Sequence, residues 1–228
     1  MSGCFVTGTD TGIGKTAIAL ALMDALKERG LAVLGMKPVA SEGAASEYGV
    51  RCADALRLQS QGSRQAPYAL INPYAFAPAI APHIAAGQAG VEIELERIRS
   101  AYARLASQAD WVIVEGVGGW RVPLGASLAV SDLPGALDLP VVLVVGLRLG
   151  CLSHSLLTAE SIRASGTRLV GWVANQVDAQ MRAADENIAT LAALIEAPSL
   201  GVVPWLEDPR PDLIARHLNI DLLLSPGR

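Results

Sequence analysis

Residues 8 to 16 read Gly8-Thr9-Asp10-Thr11-Gly12-Ile13-Gly14-Lys15-Thr16 and follow the apolar run Cys4-Phe5-Val6. This order is that of a strand, a glycine-rich loop and the first turn of a helix, and the chemistry it suits is phosphate chemistry. The glycines let the backbone turn its N–H groups toward a polyphosphate, Lys15 reaches the β and γ oxygens, and the Thr16 hydroxyl can ligate Mg²⁺. Gly8 and Gly14 are separated by five residues rather than the usual four. The helix expected next is nonetheless written in Ile18, Leu20, Ala21, Leu22, Ala25 and Leu26, closed by Lys27-Glu28-Arg29 and ended by Gly30. A turn that merely joins strand to helix is the bland alternative, but it has no need of Lys-Thr at the helix start.

Among 18 basic residues only Lys15, Lys27 and Lys37 are lysines. Where arginine is the default cation, a lysine marks a place that wants a compact point charge. Lys27 is explained as a solvated residue late in a helix, near the negative end of its dipole. Lys37 ends the apolar run Ala32 to Met36 and precedes Pro38, which places it at the carboxyl edge of a second strand as a catalytic candidate beside Lys15. The alternative is a strand-end lysine that snorkels to solvent. Asp110-Trp111-Val112-Ile113-Val114-Glu115-Gly116 is an apolar strand ending in a carboxylate, so Glu115 is the first choice for a Mg²⁺ ligand. Gly116, Gly118 and Gly119 would let the backbone that follows come close to the phosphates. Asp54, in Cys52-Ala53-Asp54-Ala55-Leu56, reads on its own as an exposed helix aspartate. Trp172-Val173-Ala174-Asn175 is followed by Gln176-Val177-Asp178. An Asn at a strand end can pair with both N6 and N7 of adenine, while the Asn-x-x-Asp spacing also matches guanine-reading loops, without their usual lysine.

With 228 residues and 51% hydrophobic content, the chain can bury one large core, and a single domain spanning 1–228 is expected. A net charge of -4 and the lack of a basic run or aromatic-basic stripe argue against nucleic acid as a partner. The most apolar stretch, Leu139 to Leu147, is roughly half a membrane helix in length and reads as a buried parallel strand, so no membrane partner is expected. The phosphate loop starts almost at once, leaving no room for a signal peptide. Cys4, Cys52 and Cys151 are odd in number and widely spaced, which suits a reducing cytoplasm. His83, His154 and His217 have no metal-ligand spacing.

Strand-like runs recur near 3–7, 32–37, 110–115, 140–146, 168–174 and 199–203, with helical patterns at Ile93 to Gln108, Ser153 to Ala164 and Met181 to Glu196 between most of them. Such alternation predicts an α/β fold of the P-loop NTPase type, a mostly parallel sheet with helices on both faces and ligands outside the carboxyl ends of the strands. Residues 40–90, rich in Ala, Gly, Ser, Gln and Pro, read as a long excursion at the site's edge. The last ten residues are expected to fray.

The chain resembles the dethiobiotin synthetases of the biotin pathway. The matching residues are Thr7 to Thr11 with Gly14-Lys15-Thr16, Lys37-Pro38-Val39-Ala40-Ser41, Asn72-Pro73-Tyr74, Pro82-His83, Val114-Glu115-Gly116 with Gly118-Gly119-Trp120, Leu149-Gly150-Cys151, Gly171 to Asn175 and Pro204-Trp205-Leu206. They run through nearly the whole chain. The resemblance implies ATP- and Mg²⁺-dependent closure of a cyclic urea on 7,8-diaminononanoate with CO₂, through a carbamate and a carbamic-phosphoric anhydride. It implies Thr16, Asp54 and Glu115 as Mg²⁺ ligands, and Gly12, Ile13, Gly14, Lys15, Thr16 and Ala17 as the phosphate cradle. Gly116, Val117 and Gly118 would border the nucleotide, and Asn175, Gln176, Pro204, Trp205 and Leu206 would hold its base. Lys37 and Ser41 would face the substrate with Thr11 beside them. Gly150-Cys151-Leu152-Ser153 reads as a helix start whose N–H groups could bind the substrate carboxylate; in the family that contact crosses a homodimer interface. No covalent enzyme intermediate is implied, so neither Cys151 nor Ser41 need be a nucleophile.

Four positions depart from the family pattern: Gly12 and Gln176 stand where acidic residues are expected, Ser153 where Asn is familiar, and Pro211 where an acidic ribose contact can occur. The alternative from another class is an ATPase switch of the partitioning or septum-positioning type. Those proteins carry an extra lysine early in the phosphate loop, where this chain has Asp10 and Thr11, and often an amphipathic membrane-binding tail. An amidotransferase relative acting on cobalamin precursors would normally need a glutaminase domain, which this length excludes unless it is a separate chain.

Overall fold

The computed structural model describes residues 3–224. The chain opens with β1 (Gly3–Gly8), α1 (Lys15–Glu28) and β2 (Val33–Met36). There follow β3 (Val39–Ala40), β4 (Ala44–Ser46), β5 (Gly49–Arg51), α2 (Ala53–Gln61), α3 (Tyr68–Ile71), β6 (Tyr74–Ala75) and α4 (Pro82–Gln88). The remainder alternates: α5 (Leu95–Ala106), β7 (Trp111–Glu115), α6 (Asp132–Ala136), β8 (Val141–Leu147), α7 (Cys151–Ala164), β9 (Leu169–Gln176), α8 (Ala184–Leu194), β10 (Ser199–Val203), α9 (Pro211–Ala215) and α10 (Asp221–Leu224).

Six strands form one sheet in the order β10-β9-β8-β1-β7-β2, with every pairing parallel. Parallel strands need crossovers that cover both faces of the sheet, so β1, β7 and β8 are buried along their whole length and read as unbroken apolar runs. One core joins these strands to the inner faces of the helices, with Ile18, Leu22 and Leu26 of α1, Ile98 and Leu105 of α5, and Trp172 of β9 fully or almost fully buried. All six expected strands are present, each within a residue or two of its predicted bounds. Because they are parallel, their carboxyl ends lie along one edge, and the chain leaves β1 toward β2 on one side and reaches β8 on the other.

The 40–90 excursion is more ordered than its composition implied. β3 pairs with β6 in parallel and β4 with β5 in antiparallel fashion, while α2 packs Ala55 and Leu58 into the core beside β2. Strands of two or three residues are too short to show a period, which is why the sequence hid them. The chain end is also more ordered than expected. Ile220 and Leu223 are buried, Asn219 N–H donates to Leu200 O at 2.7 Å, and Arg29 pairs with Asp221. The rest of the segment expected to fray, residues 225–228, lies outside the described residues.

Candidate active site

The phosphate loop spans the gap between β1 and α1. Gly12 and Gly14 both hold positive φ, at 73° and 86°. At Gly14 the requirement is double, since a Cβ there would also collide with the Asn175 amide. Ile13 enters the core with its side chain, beneath Gly8 and Gly146, so only its backbone belongs to the cradle. Its carbonyl accepts from Asn175 Nδ2 at 2.8 Å, which ties the base-side wall to the loop. An amide nitrogen carries two hydrogens, so Asn175 retains a donor as well as its carbonyl oxygen for a base.

Asp10 fixes the other side of the loop. One carboxylate oxygen accepts from Thr11 N–H at 2.7 Å, the other pairs with Arg148, and its carbonyl accepts from Lys15 Nζ at 2.6 Å. The Thr11 bond first, with Arg148 adding to it, holds the Asp10 carboxyl below its usual range. Lys15 is buried, and its pKa falls to about 8 through burial and the nearby Lys37 ammonium. The negative charge of a triphosphate would outweigh both effects and raise it again.

β2 and β7 deliver the pair that sequence placed at strand ends. Lys37 Nζ lies 2.5 Å from Glu115 Oε1 and 3.3 Å from Asp54 Oδ2, and Thr16 Oγ1 donates to the same Glu115 oxygen at 2.7 Å. Lys37 therefore does not snorkel to solvent: it is 4% exposed and Glu115 1%. Burial by itself would lower its pKa, but the Glu115 and Asp54 charges and the Glu115 hydrogen bond outweigh it and hold the ammonium above the usual lysine range. The Lys37 backbone is fixed by Asn72, whose Nδ2 donates to Lys37 O at 2.6 Å and to Tyr74 O at 3.0 Å, and whose Oδ1 accepts from Tyr68 at 2.9 Å. Sequence showed Asn72 only within the family-matching Asn72-Pro73-Tyr74, with no role attached.

The donor set fits a divalent cation. Glu115 Oε2 is buried without a hydrogen-bond partner, Asp54 and Glu115 both pair with the Lys37 ammonium, and the Thr16 hydroxyl bonds Glu115. Two carboxylates and a hydroxyl are the oxygen ligands that Mg²⁺ takes when it also binds phosphates.

Three cavities run along this edge. One of about 430 Å³ is lined by Lys15, Thr16, Lys37, Asp54, Glu115 and Ser41 among others. A second, of about 400 Å³, continues past Thr11, Ser41, Val117 and Gly118 to Ala79, Ile80, Pro82 and Val122. The third, of about 330 Å³, adjoins the first at Gly12, Gly14 and Ala17 and is walled by Asn175, Gln176, Pro204, Trp205 and Leu206. Arg57, Glu42 and Glu207 also line these spaces and were not anticipated. Nothing in their local sequence sets them apart from solvated charges. Pro211 starts α9 and lines none of the three; Glu207 is the acidic residue on the base-side wall.

Gly150 and Cys151 stand apart from the others. Gly150, at φ 95°, caps α7, and Cys151 N–H is spent on Arg148 O at 3.0 Å with its thiol buried. Leu152 and Ser153 are next in the first turn, before the helical ladder begins with His154 N–H to Gly150 O. Gly150 and Cys151 line none of the three cavities. All three cysteines are free and buried, and burial pushes the Cys4 thiol up to about 12, so it is inert.

Comparison with known proteins agrees with this geometry. A family model described as an AAA domain matches residues 2–212. The ATP-dependent dethiobiotin synthetase BioD of Pseudomonas aeruginosa (strain LESB58) is 52% identical over 221 residues, covering 96% of this chain and 97% of that protein. Its namesake in Xanthomonas campestris pv. campestris (strain ATCC 33913) is 47% identical over 216 residues, with 95% and 96% covered. Among solved structures, the MinC:MinD cell division complex of Aquifex aeolicus aligns with TM-score 0.57 at 17% identity, over 97% of this chain and 88% of that one. A ParA family ATPase from Chlorobium tepidum aligns with TM-score 0.55 at 16% identity, over 99% and 93%. The structural likenesses establish the P-loop NTPase fold, and close sequence identity along nearly the whole chain establishes more: this chain belongs to the dethiobiotin synthetase family.

Proposed function

We propose that this chain is an ATP-dependent ligase that closes the cyclic urea of dethiobiotin on 7,8-diaminononanoate with CO₂, releasing ADP and phosphate. The observation that carries this is the Lys37 ammonium held between Glu115 and Asp54, in a cavity that also holds Lys15 and Ser41 and leads to a largely apolar extension. The curated relatives at about half identity are named as dethiobiotin synthetases, which supports a ligase over a partitioning or septum-positioning switch.

The route is carbamate formation, phosphorylation to a carbamic-phosphoric anhydride, and ring closure. Lys15 and Lys37 place positive charge where the amine binds, which favours the neutral amine needed to capture CO₂. The carbamate oxygen must then approach the γ-phosphorus, and the same two ammonium groups offset the repulsion of like charges. The backbone N–H groups from Gly12 to Ala17 hold the phosphates in line. Thr16, Glu115 and Asp54 would hold Mg²⁺, which supplies further charge neutralisation at the phosphate oxygens when bound. Ser41 and Thr11 orient the substrate, so that the second amine meets the activated carbonyl by proximity alone. Asn175, with the wall from Pro204 to Leu206, takes the adenine.

A homodimer belongs to this proposal. Leu149 is 97% exposed beside the start of α7 and so is open to a second copy of the chain. The Gly150 to Ser153 turn there would receive the substrate carboxylate of the partner's site, since it lies outside the cavities of its own chain.

The test is mass spectrometry of the protein with ATP, Mg²⁺, bicarbonate and 7,8-diaminononanoate. The expected outcome is a cyclic urea, with ADP formed only when the diamine is present. ADP release indifferent to the diamine, with no urea, would transfer the chain to the switch class.

A further inference from the structure

Three non-glycine residues among those described hold a left-handed backbone: Glu42 (φ 64°), Asp138 (φ 52°) and Ala183 (φ 55°). Of these, Glu42 borders the site. A residue with a Cβ avoids this region because the Cβ crowds the following carbonyl oxygen, and it stays there only where its surroundings over-determine it. At Glu42 they do. Its N–H donates to Pro78 O at 3.1 Å, and the next N–H, that of Gly43, donates to Phe76 O at 2.9 Å. Glycine would make the same turn without strain. The turn therefore does not call for a carboxylate, and the reason for one must lie in what it faces.

Glu42 lies on the seam between two cavities, which share Thr11, Ser41, Glu42, Val117 and Gly118. On one side are the Lys15 and Lys37 ammonium groups, the Arg57 guanidinium, and the Asp54 and Glu115 carboxylates, both already paired with Lys37. On the other are Ala79, Ile80, Ala81, Pro82 and Val122, a wall suited to a chain of methylenes. Among the described residues on that second wall, Glu42 alone carries a charge. A diamine placed across the seam has one amine toward the lysines, where positive charge strips its proton. Its neighbouring amine is then left as an ammonium near Lys15 and Lys37 while the Asp54 and Glu115 carboxylates are taken by Lys37, so the unpaired carboxylate within its reach at the seam is that of Glu42.

We infer that Glu42 is a specificity-determining residue for the diamine, its carboxylate holding as an ammonium the amine that is not being carboxylated, which gives up its proton to the solvent open at the exposed Glu42 before it attacks the activated carbonyl. This rests on the function proposed above. It explains how the site distinguishes a vicinal diamine from a monoamine of the same length, because only the diamine presents a second cation to the seam.

The experiment compares wild type with E42Q and E42G, varying the diamine and Mg-ATP separately, and adds thermal melting and calorimetric titration of 7,8-diaminononanoate into each protein. E42Q keeps the shape and removes the charge. KM for the diamine is expected to rise about fivefold, the scale of one exposed charge pair, with kcat and KM for ATP unchanged. The difference should shrink at high salt. E42G is expected to show the same KM with a higher Tm, because glycine relieves the backbone, which removes unfolding as a cause. An unchanged KM for the diamine in both variants overturns the inference while the ligase function stands. Failure of wild type to form the urea overturns the functional proposal instead, and in that case undiminished diamine binding by E42Q in calorimetry also overturns the role of Glu42.

Discussion

Lys37 is the single cation between two carboxylates, and its removal leaves Glu115 charged, buried and unpaired. Breaking a buried pair from one side typically costs about 3–5 kcal/mol. Lys37→Met is therefore expected to be less stable than wild type by roughly that amount in chelator, and to recover part of the loss in Mg²⁺, which binds only the folded arrangement. Urea unfolding under both conditions checks this. Its kcat is expected to fall by about 10²–10³ while KM for Mg-ATP stays within a few-fold, because the charge matters most as like charges meet in the transition state. Lys15 carries the clearest pH signature. Its folded pKa of about 8 lies below the ordinary 10.5, so between those values the unfolded chain keeps a proton that the folded chain has lost. Its contribution to stability is thus fully present above the unfolded value, declines as pH falls through that window, and is lost below about 8. Triphosphate binding restores the proton. Titration near pH 8 in buffers of different ionisation enthalpy is expected to show uptake of about half a proton per nucleotide, absent in Lys15→Met and vanishing well below that pH.

At the scale of elements, the phosphate loop is pinned from two strands at once: by Arg148, just after β8, through Asp10, and by Asn175 of β9 through Ile13. Its glycines are not equivalent. Gly12 has open space where a Cβ would go, whereas at Gly14 that Cβ would meet the Asn175 amide. Gly12→Ala is expected to be destabilised only by the left-handed strain it introduces, about 1–2 kcal/mol, with nucleotide affinity largely kept. Gly14→Ala has the same strain and must also displace Asn175, so both melting temperature and adenine-nucleotide affinity are expected to fall further. Thermal melting and nucleotide titration of the two variants side by side distinguish these outcomes.

For the whole molecule, the parallel sheet gathers residues scattered between positions 15 and 175 onto one edge, with Lys15 and Thr16 after β1, Lys37 after β2, Glu115 at the end of β7, and Asn175 in β9. One element stays outside that convergence. The α7 start, with Leu149 fully in solvent, completes a site only if a second copy of the chain brings it there. Leu149→Asp is expected to give a monomer by light scattering, to raise KM for the diamine, and to leave ATP affinity unchanged. A monomeric wild type would remove the dimer from the proposed function.

What the sequence determined by itself was everything written in local pattern. The apolar runs of the six strands, the glycine-rich loop and its Lys-Thr, and the charged residues Lys37 and Glu115 at strand ends all follow from short-range chemistry, since burial on both faces and a helix-start anion site impose their residue types locally. What only the tertiary structure decided was partnership across the chain. Asp54 looked like a solvated helix aspartate until α2 set it beside Lys37, and Asn72 had no role of its own until it bonded the Lys37 carbonyl. Glu42 had no local signal at all, because its neighbours in the seam come from loops after β1, β3, β6 and β7. The charge a side chain meets is set by which strands lie side by side, and strand order is a property of the folded sheet that no local window contains.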